Sequence, residues 1–472
     1  MNWNFFYHIG IISIALLISA LLRARIRFLQ RFLIPAPIMG GLLLLIFYNY
    51  IAPLWGLRND FLGDIVYHLL NISFISMLLR RTGKDLDRGK KKHILAENVT
   101  AVMAQYGLQC FFGLVATAAM IATFSPDLFP AIGFTLPLGF ELGPGQAYSI
   151  ALGWEKMGFR GASSVGLTMA AIGFLVGSFG GVVLINQGLK RGWIARDQAT
   201  RINAKSVRTG FFSRLESERP IGAYLSTDGE SLDSFSYHIA LVMATYLLSW
   251  AVLSALTLAL HLIGPLGVDL AESLWGINFI FSAFCALAVK LFMRGVGVET
   301  TIDNGTLNRI GGFSVDVTVA SSLGAISLVT VQGYWIPILV LTLVGIIITV
   351  FILPWYCSRL YSDHQFFRML VIYGTATGTL PTGLALLRVV DAEFETPVAT
   401  DYLYSVGIVF VLAIPIILSV NLPAFSVTKS NPVLFGLAIA ISAFYLVASF
   451  VAYLILSKKR AFADAQKLFY TE

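Results

Sequence analysis

Apolar runs about twenty residues long recur along this chain, and no other feature constrains its fold as tightly. A bilayer core about 30 Å thick is crossed by about 20 residues of α-helix, and inside it every backbone N–H and C=O must be satisfied within the protein. The first such run is Phe5–Leu22. Others lie at about 34–52, 62–79, 96–124, 162–188, 236–263, 274–292, 314–332, 334–356, 398–420 and 432–456, making eleven candidate spans. Composition agrees, since 57% of the 472 residues are hydrophobic and 12% are charged, whereas a soluble domain carries about 25% charged residues. A soluble enzyme, a disordered chain and a nucleic-acid binder are excluded together. The formal charge of +7 needs no polyanionic partner, because cytoplasmic loops of membrane proteins are basic. Phe5–Leu22 is followed by Arg23, Arg25, Arg27 and Arg31, the reverse of a signal peptide's order, so a retained first helix is expected. Cys110, Cys285 and Cys357 are scattered in apolar segments and form no metal or redox pattern.

Two apolar stretches do not read as ordinary spans. Residues 128–153 contain PAIGFTLPLGFELGPGQAYS, and residues 369–388 contain YGTATGTLPTGLALLR. Proline inside a helix costs about 3 kcal/mol and glycine about 1 kcal/mol relative to alanine. Nonhelical backbone at membrane depth survives only when buried in protein or lining a cavity. Both stretches are therefore expected to be re-entrant hairpins that enter and leave on one side.

Loop charge supports this count. With the N-terminus outside and each hairpin returning to its own side, 29 of the 33 Lys and Arg residues fall in cytoplasmic segments, as the positive-inside rule requires. The expected fold is thus an all-α membrane protein of about 11 transmembrane helices plus two re-entrant hairpins, arranged as two inverted-topology repeats. Residues 1–188 form the first repeat, 189–235 a cytoplasmic linker with eight basic and six acidic residues, 236–421 the second repeat, and 432–456 an extra C-terminal helix. Pro144 and Pro381 sit in comparable glycine-rich turns, each followed by an acidic loop (Glu155; Asp391 and Glu393). Inverted repeats with broken elements in matching positions point to a secondary transporter with a midplane site.

Candidate site residues come from the two breaks. In the first, Gly139, Gly143 and Gly145 let backbone approach a ligand, Glu141 is an intramembrane acid and hence functional by default, and Pro144, Gln146 and Tyr148 complete the turn. In the second, Gly374, Gly378 and Pro381 break the helix, while Thr375, Thr377, Thr379 and Thr382 offer hydroxyl oxygens. Na⁺ would be held at Glu141, Thr377 and Thr379, since acidic, hydroxyl and carbonyl oxygens at helix breaks suit that ion. Gly166, Gly173, Gly177, Gly180 and Gly181 show small-xxx-small spacing, which favours close packing against a hairpin over ligand contact. Lys290 and Asp316 are expected to snorkel or pair, Asp64 and Asp269 to be solvated, and Arg388 to anchor an interface. The six histidines are isolated, and nucleotide-binding and hydrolase motifs are absent, so neither a primary pump nor an enzyme is indicated, and no cofactor.

The segment Ile34-Pro35-Ala36-Pro37-Ile38-Met39-Gly40-Gly41 resembles the I-P-x-P-x-x-G-G segment of the bacterial sodium/glutamate symporter family. The likeness continues through the first hairpin, Gly158-Phe159, the run Ile172-Gly173-Phe174-Leu175-Val176-Gly177, the second hairpin and Asn421, over roughly residues 5–421. It implies an elevator-type symporter taking up L-glutamate with Na⁺ as coupling ion, a homodimer in a bacterial inner membrane, N-terminus outside and C-terminus cytoplasmic. Glu141, Leu142, Pro144 and Gln146 stand where the family has a Gly-His-Gly-Thr-Gly type turn. The alternatives are the same fold carrying another solute or coupled to H⁺, and a non-transporting membrane receptor or scaffold with loop 189–235 as its interaction surface.

Overall fold

The computed structural model describes residues 3–32, 34–81, 90–194, 209–211, 221–262, 264–391 and 396–463. Among these residues the secondary structure is helical, with no strand. The helices are α1 (Asn4–Arg25), α2 (Ala36–Ile46, prolonged by a wide π-turn and a 3₁₀ turn to Trp55), α3 (Asp60–Leu79) and α4 (Lys90–Thr123). A first broken element follows: an irregular arm, Pro130–Leu142, returns as α5 (Pro144–Lys156). Then come α6 (Ala162–Arg191), α7 (Ser234–His261), α8 (Pro265–Gly276), α9 (Asn278–Gly295), α10 (Asn304–Gly324) and α11 (Trp335–Ile346, continuing through a π-turn to Leu360). The second broken element is α12 (Gln365–Ala376) followed by α13 (Leu380–Val390). The chain closes with α14 (Val398–Ser419), α15 (Leu422–Thr428) and α16 (Val433–Ser457).

Ten helices among the described residues are long and apolar enough to cross a bilayer, one fewer than expected. The discrepancy lies at 314–332. There the helix is α10, which starts earlier, at Asn304, and ends at Gly324, before a separate short turn at Leu328–Gln332. At 1.5 Å per residue its 21 residues reach about 31 Å, so length is sufficient; polarity is what sets it apart. Ser314, Thr318, Ser321 and Ser322 are buried, and α10 packs along α3 and α2. Its second half, buried from Val317 to Gly324, needs no lipid-compatible surface.

Buried side chains gather into one large core and three smaller ones, in one of which Val66 and Leu323 of α3 and α10 pack with Tyr148 and Leu167 of α5 and α6. Ile12, Leu44, Leu62 and Ala320 join α1, α2, α3 and α10, while Ile75, Val242, Ala286 and Leu307 tie α7 and α9 to the same group. The larger core runs through α4, both broken elements, α6, α11, α14 and α16. The return arm α5 lies on α3 and α8. Ser149 Oγ of α5 donates to the Gly276 carbonyl at 2.6 Å. The three cysteines are buried and free. In the expected linker, residues 195–208 and 212–220 lie outside the described residues, as do Glu393 and the side chains of Asp269 and Pro381.

Candidate functional site

The first break is built from prolines that cannot donate to a helical ladder. Pro130 opens a 3₁₀ turn through Phe134, and Pro137 is followed by the π-turn Leu138–Leu142, which carries Glu141. Gly143 then turns the chain at φ 89°, ψ −179°, a conformation essentially reserved for glycine. Pro144 stands in the first turn of α5, where its missing N–H costs nothing. The second break follows similar logic. α12 stops at Ala376, Thr379 is extended (φ −152°, ψ 172°), and Pro381 stands in the first turn of α13.

The two tips touch. A Cβ added at Gly143 would lie 2.5 Å from Cγ2 of Thr379. Both tips rest on α6 at Gly173, whose Cβ position is 2.9 Å from the Thr377 carbonyl oxygen and 3.1 Å from Cα of Phe140. The remaining α6 glycines serve the same packing: Gly166 faces Ala147, Gly177 faces the Thr377 hydroxyl, Gly180 faces Tyr373 and Gly181 faces Leu386. The small-residue spacing in α6 is therefore a bed for the broken elements, as its sequence pattern suggested.

Beside the tips is a cavity of about 770 Å³. Glu141, Pro144, Gly145 and Gln146 line it from the first element, and Thr375 and Thr379 from the second. Gln105 and Tyr106 of α4 and Tyr402 of α14 close the same side, whereas Leu70 and Phe74 of α3, Phe279 of α9 and Val315 of α10 form the facing wall. The cavity thus lies between the broken elements with α4 and α14 on one side and α3, α9 and α10 on the other. Glu141 is 6% exposed, Gln105 1%, and both carboxylate oxygens of Glu141 and Oε1 of Gln105 lack a hydrogen-bond partner. An unsatisfied buried carboxylate is expensive, which makes Glu141 the chemically distinctive residue of this corner.

The other expected site residues play different parts. Gly139 packs against Met169 and Ala170, and Gly374 against Gly383, which lets the arms of each element close on their neighbours. Gly378 lies against Thr382. The Thr377 hydroxyl donates to the Tyr373 carbonyl at 2.8 Å, and the Thr375 hydroxyl to the Ile372 carbonyl at 2.9 Å. Tyr148 points away from the tips onto Gly63 of α3. Among the described residues Lys290 and Asp316 form no ion pair; Lys290 Nζ donates to the Arg80 carbonyl instead. Arg388 lines the cavity, together with Arg80 and Asn308.

Sequence reasoning missed Gln105, Tyr106 and Tyr402. A signal existed for the first. Gln105 and Gln109 are amides four residues apart in an apolar span, hence on one helix face, and Gln109 Nε2 donates to the Ala376 carbonyl at the end of α12 at 2.9 Å.

Long apolar helices, with two interrupted ones meeting at a shared cavity, define the class: a multi-pass membrane protein of the transporter kind. The sodium/glutamate symporter family model matches residues 1–396, more than four fifths of the chain, and the protein belongs to that family. No curated protein and no solved structure matches it significantly.

Proposed function

We propose that this protein is a Na⁺-coupled symporter for L-glutamate or a related small carboxylate, working by alternating access of the elevator type. One observation carries the reading: the tips of both broken helices meet at a single cavity whose opposite wall comes from α3, α9 and α10, which we read as a moving body facing a fixed one. In an elevator the body holding both tips slides against the other, so a site on the seam is exposed to each side in turn. Partial charges favour the assignment. The amino end of α5 suits a carboxylate, and the Thr377 carbonyl with the oxygens of Thr379 and Glu141 suits the coupling cation. Site-lining roles are assigned to Glu141, Pro144, Gly145, Gln146, Thr375 and Thr379, with Gly139, Gly143, Gly374, Gly378, Pro381 and Thr382 shaping the tips. Binding energy here serves positioning and differential affinity between two states; no covalent chemistry is required.

We read the broken elements as re-entrant hairpins of two inverted repeats. A structural parallel supports this. Glu155, just before the end of α5, accepts from N and Oγ of Ser163 at 3.0 and 2.6 Å, and Asp391, following α13, accepts from N and Oγ1 of Thr396 at 3.0 and 2.5 Å. The charge bias supports an N-terminus outside and a cytoplasmic C-terminus, and the family likeness supports a bacterial inner membrane; Arg80, Asn308 and Arg388 then mark the inner end of the cavity. A homodimer through the body containing α1 and α7 completes the proposal. The test is uptake of radiolabelled L-glutamate, with other small carboxylates as competitors, into proteoliposomes with and without an inward Na⁺ gradient. Na⁺-driven accumulation is expected. Absence of Na⁺-dependent uptake of any carboxylate by folded protein would overturn the reading.

A further inference from the structure

We infer that Arg80 is a specificity-determining residue at the open mouth of the cavity, a guanidinium that draws a net-negative substrate inward before it reaches the tips. This rests on reading the cavity as a transport site and deepens that reading, since the class favoured at the mouth is an anion, as L-glutamate is.

The cavity is closed at one end and open at the other. Beside the tips Glu141, Gln146 and Thr375 are buried. At the far end Asn308, Gly312, Ala385, Arg388 and Thr400 line the same cavity and are exposed. Arg80 stands there too, half-buried where α3 ends. The two arginines approach from different walls. Arg80 is ten residues along α3 from Leu70, which touches Gly145 of the first element, and Arg388 is nine residues beyond Thr379 of the second. At 1.5 Å per residue both stand roughly 13–15 Å from the tips. Two side-chain methylenes do not bridge that distance, so Arg80 acts on the incoming solute and not on a glutamate seated at the tips.

The mouth selects by sign. Among the described residues the cavity lining holds one acid, Glu141 at the closed end, and two arginines at the open one. No ion pair among the described residues includes Arg80. Its side chain donates to neutral acceptors: Nε to the Met77 carbonyl at 3.1 Å and Nη1 to Asn308 Oδ1 at 3.3 Å. These bonds hold the guanidinium in place without neutralising it. Lys290 Nζ donates to the carbonyl of Arg80, which brings a second cation to this end and no counter-charge. Burial disfavours the charge on Arg80, and an arriving carboxylate offsets that cost. Arg388 has an interaction of its own, so the role is assigned to Arg80. A cleft lined by one sign of charge focuses field lines and raises the capture rate of the opposite charge by about tenfold or more. Such rim charges act on association and its salt dependence rather than on residence.

The test measures association and dissociation rates of radiolabelled L-glutamate on the purified full chain, by rapid mixing and filtration at one fixed Na⁺ concentration. Choline chloride raises the ionic strength from about 0.01 M to about 1 M, over which the screening length falls from about 30 Å to about 3 Å. The wild-type association rate is expected to fall about tenfold across this range, with dissociation changing by less than about twofold. Arg80→Gln is expected to start about threefold or more below the wild type and to meet it at high salt. Arg80→Lys, which keeps the charge, should retain most of the wild-type rate. A wild-type association rate independent of ionic strength would overturn the inference whatever the variants do, and leave the symporter reading standing. So would a loss in Arg80→Gln that resides in dissociation and persists at high salt, because Arg80 would then hold the seated substrate. Folded protein that binds no glutamate would overturn both.

Discussion

Gly143 and Thr379 meet where the two broken helices end: a Cβ at Gly143 would stand 2.5 Å from Cγ2 of Thr379. Each residue is at a break in its own element, and each break leaves a helix end facing the same cavity. The contact makes the two tips one structural unit, so a disturbance at either is felt by both.

The first prediction follows from that contact. Gly143→Ala combines a side chain at φ 89° with a collision against Thr379, and such a conformation costs a non-glycine residue about 1–3 kcal/mol. Thermal unfolding should occur at lower temperature and transport should fall severely. Gly153, also glycine in α5, has nothing within 4 Å of its Cβ position. Gly153→Ala should be neutral or stabilising by up to about 1 kcal/mol. Equal effects of the two substitutions would contradict the tip packing.

A cross-link can test whether the two bodies move. Leu70 belongs to α3, Gly145 to α5, and the Gly145 Cβ position is 3.0 Å from Cβ of Leu70, so a small outward shift brings the pair to the roughly 3.5–4.5 Å a disulfide requires. In a background with Cys110, Cys285 and Cys357 replaced, the pair Leu70→Cys and Gly145→Cys should oxidise readily. Transport should stop on oxidation and return on reduction. Undiminished transport by fully cross-linked protein would rule out sliding at this seam.

A buried ion-pair triad fixes the second broken element to α14. Arg368 is 1% exposed, with Nε 2.7 Å from Asp363 and Nη2 2.8 Å from Asp401. Removing one partner of such a group leaves the other charged and buried, which costs about 3–5 kcal/mol. Arg368→Met should lower the unfolding temperature and the yield of folded protein. Pairing it with Asp401→Asn should recover part of the loss, and a double-mutant cycle measures how much.

A pH dependence is expected at Asp303, outside the spans at the start of α10. Burial by itself would raise its affinity for a proton, but hydrogen bonds outweigh it: Thr306 N and Oγ1 at 2.6 and 2.8 Å and Tyr224 N at 3.3 Å hold the carboxyl below its usual range. A depressed value in the folded state means the stabilisation is present above the unfolded value of about 3.9 and is lost as pH falls through the folded one. The stability gap between the wild type and Asp303→Asn should therefore be widest near neutrality and close in acid. A gap that widened toward low pH would reverse the sign argued here.

The sequence by itself determined the class, the family and the places where helices break. Those properties are local. Twenty apolar residues must be helical in a bilayer, and proline with glycine at 137–145 and 374–383 must interrupt a helix, whatever surrounds them. Span limits came out within a few residues for the same reason, except at 314–332, where polar residues shifted the helix to 304–324. Tertiary structure alone decided which residues share the cavity. Thr377 and Thr379 are two apart and chemically alike, yet the hydroxyl of Thr377 is spent on the Tyr373 carbonyl while Thr379 lines the cavity. Tyr148 falls in the glycine-rich turn by sequence and packs on Gly63 in space. Gln105, buried in an apolar helix far along the chain from both breaks, supplies an orphaned oxygen to the wall that also holds Glu141. Helix formation follows from neighbours in the chain, but the donors and acceptors that meet in a site are chosen by how separate helices pack, and no single segment carries that information.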